Sequence, residues 1–121
     1  MGNVYIKSLG EKYLTGNYTR QPIAFDKAEG SYVWDASGKR YLDFVTGLAV
    51  NALGHCHPQV VEAIVQQSQK LLHSSNLYWT SAQAELAQLL VEYSCMDRVF
   101  LCNSGTEANE AAIKMARRYY Q

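Results

Sequence analysis

Charge of one sign, long apolar runs and paired cysteines are all missing from this sequence, and each absence narrows what it can do. Eleven Lys and Arg balance eleven Asp and Glu over 121 residues, so no basic footprint for nucleic acid or an anionic membrane is visible. No apolar stretch approaches the length of about 20 residues that crosses a bilayer. The start, "MGNVYIKSLGEKYLTGNY", lacks the apolar centre and cleavage site of a signal peptide, and Gly2 alone does not complete a myristoylation motif. The expectation is a cytoplasmic protein with neither a nucleic-acid nor a membrane partner. Cysteine is scarce and odd in number: Cys56, Cys95 and Cys102 cannot all pair, which predicts reduced thiols in an unsecreted chain. Repeats and low-complexity segments are absent too. What remains is a 48% apolar chain, the composition of a globular protein, long enough for one small domain.

Residues 1–20 mix Tyr, Gly, Asn and Thr without a strong period and read as an arm with a single helical turn. In "IAFDKAEGSYVWDASGKRYLDF", Gly30 and the Ser37-Gly38 pair separate runs of aromatic and β-branched residues, a hairpin signature with Val33 and Trp34 on one arm and Tyr41 and Phe44 on the other. The apolar, glycine-containing "VTGLAVNALGHCHP" predicts a connection packed against something. Pro58 suits the first turn of a helix over about 58–72, with Val60, Val61, Ile64, Val65, Leu71 and Leu72 on its buried face. Thr80 or Ser81 can cap a second helix over about 81–94 that buries Leu86, Leu89, Leu90 and Tyr93. Residues 98–102 read as a short strand covered on both faces, and a last helix follows directly. Helix, strand, turn, helix is an α/β arrangement. A buried strand needs neighbours, so the chain is expected to be the opening of a larger α/β domain, incomplete in itself.

The stretch "CNSGTEANEAAIK", residues 102–114, places hydroxyls and a glycine just before that last helix. Gly105 allows a tight turn, and Ser104 or Thr106 can cap the helix. The free N–H groups of its first turn, with the helix dipole, also favour an anion such as phosphate. Glu107 and Glu110 fit a plain cap equally well, so local spacing leaves cap and anion site both open. The pattern is neither a P-loop nor a dinucleotide fingerprint. "GHCHP" suggests metal, but no second ligand pair follows, and the expectation is no metal site, with His57 capping the helix at Pro58. The loop "SSNLYWT", with Asn76 beside Tyr78 and Trp79, could line a pocket or pack between helices. Tyr18 and Arg20 in the arm are equally ambiguous.

Together, "GSYVWDASGKRYLDFVTGLAVNALGHCHPQVVEAI" and "CNSGTEANEAAIKMARRY" resemble the N-terminal part of the class III aminotransferases, enzymes of fold type I that depend on pyridoxal 5'-phosphate, and within that class its acetylornithine branch. The likeness runs from about Tyr13 to the last residue. It implies an N-terminal arm and β-hairpin segment of the small domain over residues 1–50, and the start of the cofactor-binding large domain over 51–121. It implies that Ser104, Gly105 and Thr106 hold the cofactor phosphate. Tyr18 falls where ornithine-type relatives contact substrate. Leu48 falls where ornithine aminotransferases carry tyrosine, so an aliphatic residue there resembles the acetylornithine or 4-aminobutyrate branches. The implied reaction moves an amino group from N2-acetylornithine to 2-oxoglutarate, in arginine biosynthesis, in a homodimer whose active sites lie at the subunit interface near the Asn76–Tyr78 loop. Other ω-aminotransferases, aminomutases and a non-catalytic phosphate-binding piece stay open. The lysine that carries the cofactor as a Schiff base, and the other catalytic groups, fall beyond residue 121. Lys114 matches an ordinary helical lysine, so no catalytic residue is expected among these 121 and the chain alone is expected to be inactive.

Overall fold

The computed structural model describes residues 2–120, which divide into one unit ending at Leu72 and another beginning at His73. The first unit opens with helix α1, Asn3–Tyr13, followed by strands β1, Phe25–Glu29, β2, Tyr32–Asp35, and β3, Arg40–Leu42. They form one antiparallel sheet in the order β1-β2-β3. Both glycine turns expected from the sequence are present, at Gly30 and Gly38, each with a positive φ. The hairpin is therefore a three-stranded meander, and Phe44 lies outside it, past the end of β3.

Alternation along β2 sorts the side chains. Val33 and Asp35 are buried on one face, whereas Tyr32 and Trp34 point the other way. Lys27 lies over the Trp34 ring at 5.0 Å and Arg40 over the Tyr32 ring at 4.7 Å, so cationic stems cover the outer aromatic face. On the inner face Phe25 meets Tyr41 edge-on at 5.9 Å.

Helix α1 is longer than the single turn expected, for a reason that lies outside its own sequence. It buries no residue, but its first residue is tied to the sheet. Asn3 Nδ2 donates to Asp35 Oδ2 at 3.0 Å, and Asn3 Oδ1 accepts from the Ala24 N–H at 3.1 Å. After β3 comes α2, Thr46–Ala49, a single turn with Thr46, Gly47, Leu48 and Ala49 all at positive φ. It leads to a two-bond bridge between Gly30 and His55. Gly54, at φ +86°, passes so close that an added Cβ would sit 3.2 Å from the Gly30 backbone. Pro58 then starts α3, Pro58–Ser68, as expected.

The second unit holds α4, Ser81–Glu92, with Thr80 as its cap, and α5, Gly105–Tyr119. Residues 98–102 form no strand. A strand is defined by its partner's hydrogen bonds, and no described segment supplies them. The faces expected to be buried are open. Val60, Val61, Ile64, Val65, Leu71, Leu72, Leu86, Leu89, Leu90 and Tyr93 are 42–88% exposed, and Val33 is the one buried hydrophobic among the described residues. Amphipathic spacing marks the faces that must be covered, and the described residues do not cover them. No described helix is long and apolar enough to cross a membrane.

Candidate functional site

At the start of α5 the backbone of Ser104 is extended, and its hydroxyl accepts the Glu107 N–H at 3.2 Å. Glu107 reaches back and accepts the Asn103 N–H at 2.7 Å. This is a reciprocal cap, shifted by one residue from the usual capping box. The first bond of the helical ladder runs from the Ala108 N–H to the Ser104 carbonyl at 3.1 Å. Two donors of the first turn are left over: the N–H groups of Gly105 and Thr106 meet no protein acceptor among the described residues.

Gly105 is helical rather than left-handed, so it is not needed to make the turn that its sequence context suggested. A Cβ built on it would meet no atom within 4 Å. The glycine leaves room instead of relieving strain. Two free N–H groups, the positive end of a 15-residue helix and the space a side chain would fill form a fitting cradle for a phosphate. Thr106 sits in the first turn and is not the cap; its hydroxyl is a third available donor. The cap therefore does not use the N–H groups that an anion would need.

The first unit holds two polar centres that the sequence did not announce. Asp35, 5% exposed, accepts from Asn3 Nδ2, from the Ser37 and Lys39 N–H groups and from the Tyr41 hydroxyl, all at 2.9–3.0 Å. Burial pushes its carboxyl up, but these four donors together outweigh it and hold the pKa at about 2. Tyr41 is raised in turn, chiefly by its bond to Asp35. The second centre pairs Asp43 with His55, Nε2 to Oδ2 at 2.6 Å. The other carboxylate oxygen accepts the Val45 and Thr46 N–H groups, both at 2.9 Å. His55 and these two N–H groups pull the Asp43 pKa below its usual range. His55 Nδ1 faces Asn51 Nδ2 at 3.4 Å. The sequence reading placed His55 only at the end of a connection and gave Asp43 no role. The spacing of 12 residues between them is no recognisable motif.

Tyr18 is exposed and lines a groove of about 480 Å³ with Ile6, Leu14, Arg20 and Ile23. The Arg20 guanidinium lies 5.5 Å from its ring. Leu48 stands in the left-handed turn α2 with 87% of its surface exposed, and its neighbour Gly47 borders a second cavity of about 450 Å³ with Asp43, Asn51 and His55. Ser104, Gly105 and Thr106 belong to the other unit.

His57 occupies the cap position of α3, but its side chain makes no capping bond. Its Nδ1 is buried without a partner among the described residues. No group of three His, Cys, Asp or Glu in the described residues could hold a metal. Cys56, Cys95 and Cys102 are all free and exposed.

Known proteins align with this chain over nearly its whole length. The "Aminotransferase class-III" family profile matches residues 13–121. Acetylornithine aminotransferase of Caldanaerobacter subterraneus subsp. tengcongensis is 57% identical over 109 residues, which is 90% of this chain and 28% of that protein. The crystal structure of acetylornithine aminotransferase from Elizabethkingia anophelis superposes with a TM-score of 0.93 at 38% identity, covering 98% of this chain and 31% of that one. Taurine:2-oxoglutarate aminotransferase from Bifidobacterium kashiwanohense, in complex with PLP and glutamate, superposes at 0.88 with 34% identity, covering 98% and 28%. The chain thus spans under a third of the length of each.

Proposed function

We propose, on the premise that this chain belongs to the class-III aminotransferases, that it forms the phosphate end of a pyridoxal 5'-phosphate site. The enzyme would move an amino group from N2-acetylornithine, or a related ω-amino donor, to 2-oxoglutarate. The observation that carries the reading is the pair of free N–H groups at Gly105 and Thr106, next to open space around the Gly105 Cα.

Gly105 and Thr106 would bind the phosphate through their N–H groups, and the hydroxyls of Ser104 and Thr106 would donate to its remaining oxygens. The Ser104 oxygen keeps its capping bond from Glu107 while its own proton stays free to donate. Glu107 is turned back onto Asn103, which satisfies its carboxylate locally. Bound pyridoxal phosphate supplies the electron sink that amino-group transfer needs. Tyr18 and Leu48 would contact the donor. Lys114 is engaged by Glu110 one turn before it on α5. The family resemblance would place the cofactor-bearing lysine outside these 121 residues, and the chain alone is inactive in this reading. Residues 1–50 would belong to a small domain and 51–121 to the cofactor-binding domain of a cytoplasmic homodimer acting in arginine biosynthesis. A second reading, transfer from a different ω-amine, is supported by the likeness to the taurine enzyme.

The test is Gly105→Ala in the full-length enzyme. A methyl group there meets no protein atom, so thermal stability without cofactor should hold, while affinity for pyridoxal phosphate falls about tenfold or more, the equivalent of one charge-assisted hydrogen bond. Unchanged cofactor affinity would overturn the cradle. Comparing turnover of N2-acetylornithine, ornithine and 4-aminobutyrate decides the donor, and no turnover with any of them refutes the activity.

A further inference from the structure

The turn carrying Leu48 has a backbone that should not persist unaided. Thr46, Leu48 and Ala49 have φ of 48°, 61° and 66°, in the left-handed region that side chains with a Cβ rarely adopt. Leu48 at its apex is 87% exposed, so packing does not hold it there. Strain of this kind survives only where the surroundings over-determine it.

Hydrogen bonds supply that determination, and they close a circuit. The Asp43 N–H donates to the Ser31 carbonyl at 2.9 Å. The Asp43 carboxylate then holds the Val45 and Thr46 N–H groups on one oxygen and His55 Nε2 on the other. On the far side of the turn, the Asn51 N–H donates to the Thr46 carbonyl at 3.0 Å, and the Asn51 amide faces His55 Nδ1. His55 itself is fixed to Gly30 by two backbone bonds of 2.8 and 2.9 Å. Both ends of the circuit therefore land on adjacent residues, Gly30 and Ser31, in the connection between β1 and β2. The position of Leu48 is referenced to one corner of the sheet.

We infer that Asp43 and His55 are positioning residues that fix the Leu48 turn and thereby set which ω-amino donor the enzyme accepts. The inference rests on the proposed role of Leu48 as a donor contact. Neither residue touches the donor in this account. They act through the N–H groups of Val45 and Thr46 and through Asn51.

The full-length enzyme tests this with His55→Ala and His55→Gln. Alanine removes the group that holds Asp43, whereas a glutamine amide can still donate to it. His55→Ala should change the ratio of kcat/KM for N2-acetylornithine to that for ornithine by about tenfold, mainly through KM, the scale on which pocket contacts discriminate. Affinity for pyridoxal phosphate should stay put, and His55→Gln should restore the ratio to within about twofold. An unmoved ratio in His55→Ala, or an equal shift in both variants, would overturn the inference. Hydrogen exchange provides a readout independent of activity. Asp43→Asn should speed exchange at the Val45 and Thr46 amides about tenfold, because the acceptor of each bond loses its charge. Unchanged exchange there overturns the inference even if the enzyme is active. A wild-type enzyme that transfers no amino group refutes the functional reading instead, and the exchange result still decides whether the circuit holds the turn. If the Asp43 or His55 variants fail to fold, Asn51→Ser breaks the circuit at its far side. It must also shift the donor ratio, and no shift counts against the inference.

Discussion

The two units of this chain hold themselves in opposite ways. In the sheet and the turn that follows it, local order rests on two polar side chains with their partners in place: Asp35 with four donors, and Asp43 with three. From His73 on, order rests on helices whose apolar faces are left open by the described residues, and each helix start is closed by its own cap, Thr80 or Ser104. A carboxylate can be satisfied by residues close in the chain, because a few N–H groups at the right angle complete it. An apolar stripe cannot be completed locally; it needs a surface of matching extent. The sheet of the first unit is specified by its own residues, whereas the apolar faces of α3 and of the second unit's helices are specified for a partner surface.

Removing the Asp35 carboxylate should strike hardest. Asp35→Ala leaves Asn3 Nδ2, two backbone N–H groups and the Tyr41 hydroxyl without their acceptor, and should give the largest drop in thermal midpoint of any substitution in the first unit. Acid should do the same reversibly. A carboxyl held at about 2 in the fold and near about 4 when unfolded favours the fold above the unfolded value and loses that contribution as pH falls towards 2. Asp43, also lowered, adds in the same direction. Exchange of the sheet amides between about pH 4 and 2 measures it; a sheet whose protection is flat across that window breaks the contrast between the units.

Gly54→Ala comes next. The residue has φ +86° and a neighbour at 3.2 Å from the built Cβ, so the substitution should destabilise by about 1–3 kcal/mol in chemical denaturation. The smallest effect belongs to the second unit. Leu89 is half exposed, and Leu89→Ala in the 121-residue chain should change helicity or stability by no more than about 0.5 kcal/mol. The same change in the full-length enzyme should cost about 2–5 kcal/mol if that face becomes buried there. Equal effects in the two settings would show that α4 needs no partner.

Much of this could be read from the chain because it is local. Gly30 and Gly38 mark turns by composition, Pro58 and Thr80 mark helix starts, and Ser104-Gly105-Thr106 falls where free N–H groups do. The misses share a cause. Asn3 and Asp35 are 32 residues apart, and nothing in the pattern of either says that one ends on the other. Without that tie, α1 reads as a weak arm. Residues 98–102 have the composition of a buried strand, but composition supplies no partner. Asp43 and His55 are 12 residues apart, and the left-handed turn that brings them together leaves no pattern in the residues between them.

The bridge from Gly30 to His55 also has a consequence for the order in which the chain folds. The β1–β2 turn closes over a handful of residues, whereas docking His55 on Gly30 closes a much longer loop and so carries a larger entropic barrier. Until that closure, the Asp43 carboxylate has its local N–H donors but not the imidazole, and the left-handed turn lacks its second anchor. The sheet must therefore form first, with the Leu48 turn settling onto it as a late event. Substitutions at His55 would then speed unfolding and leave the folding rate nearly unchanged.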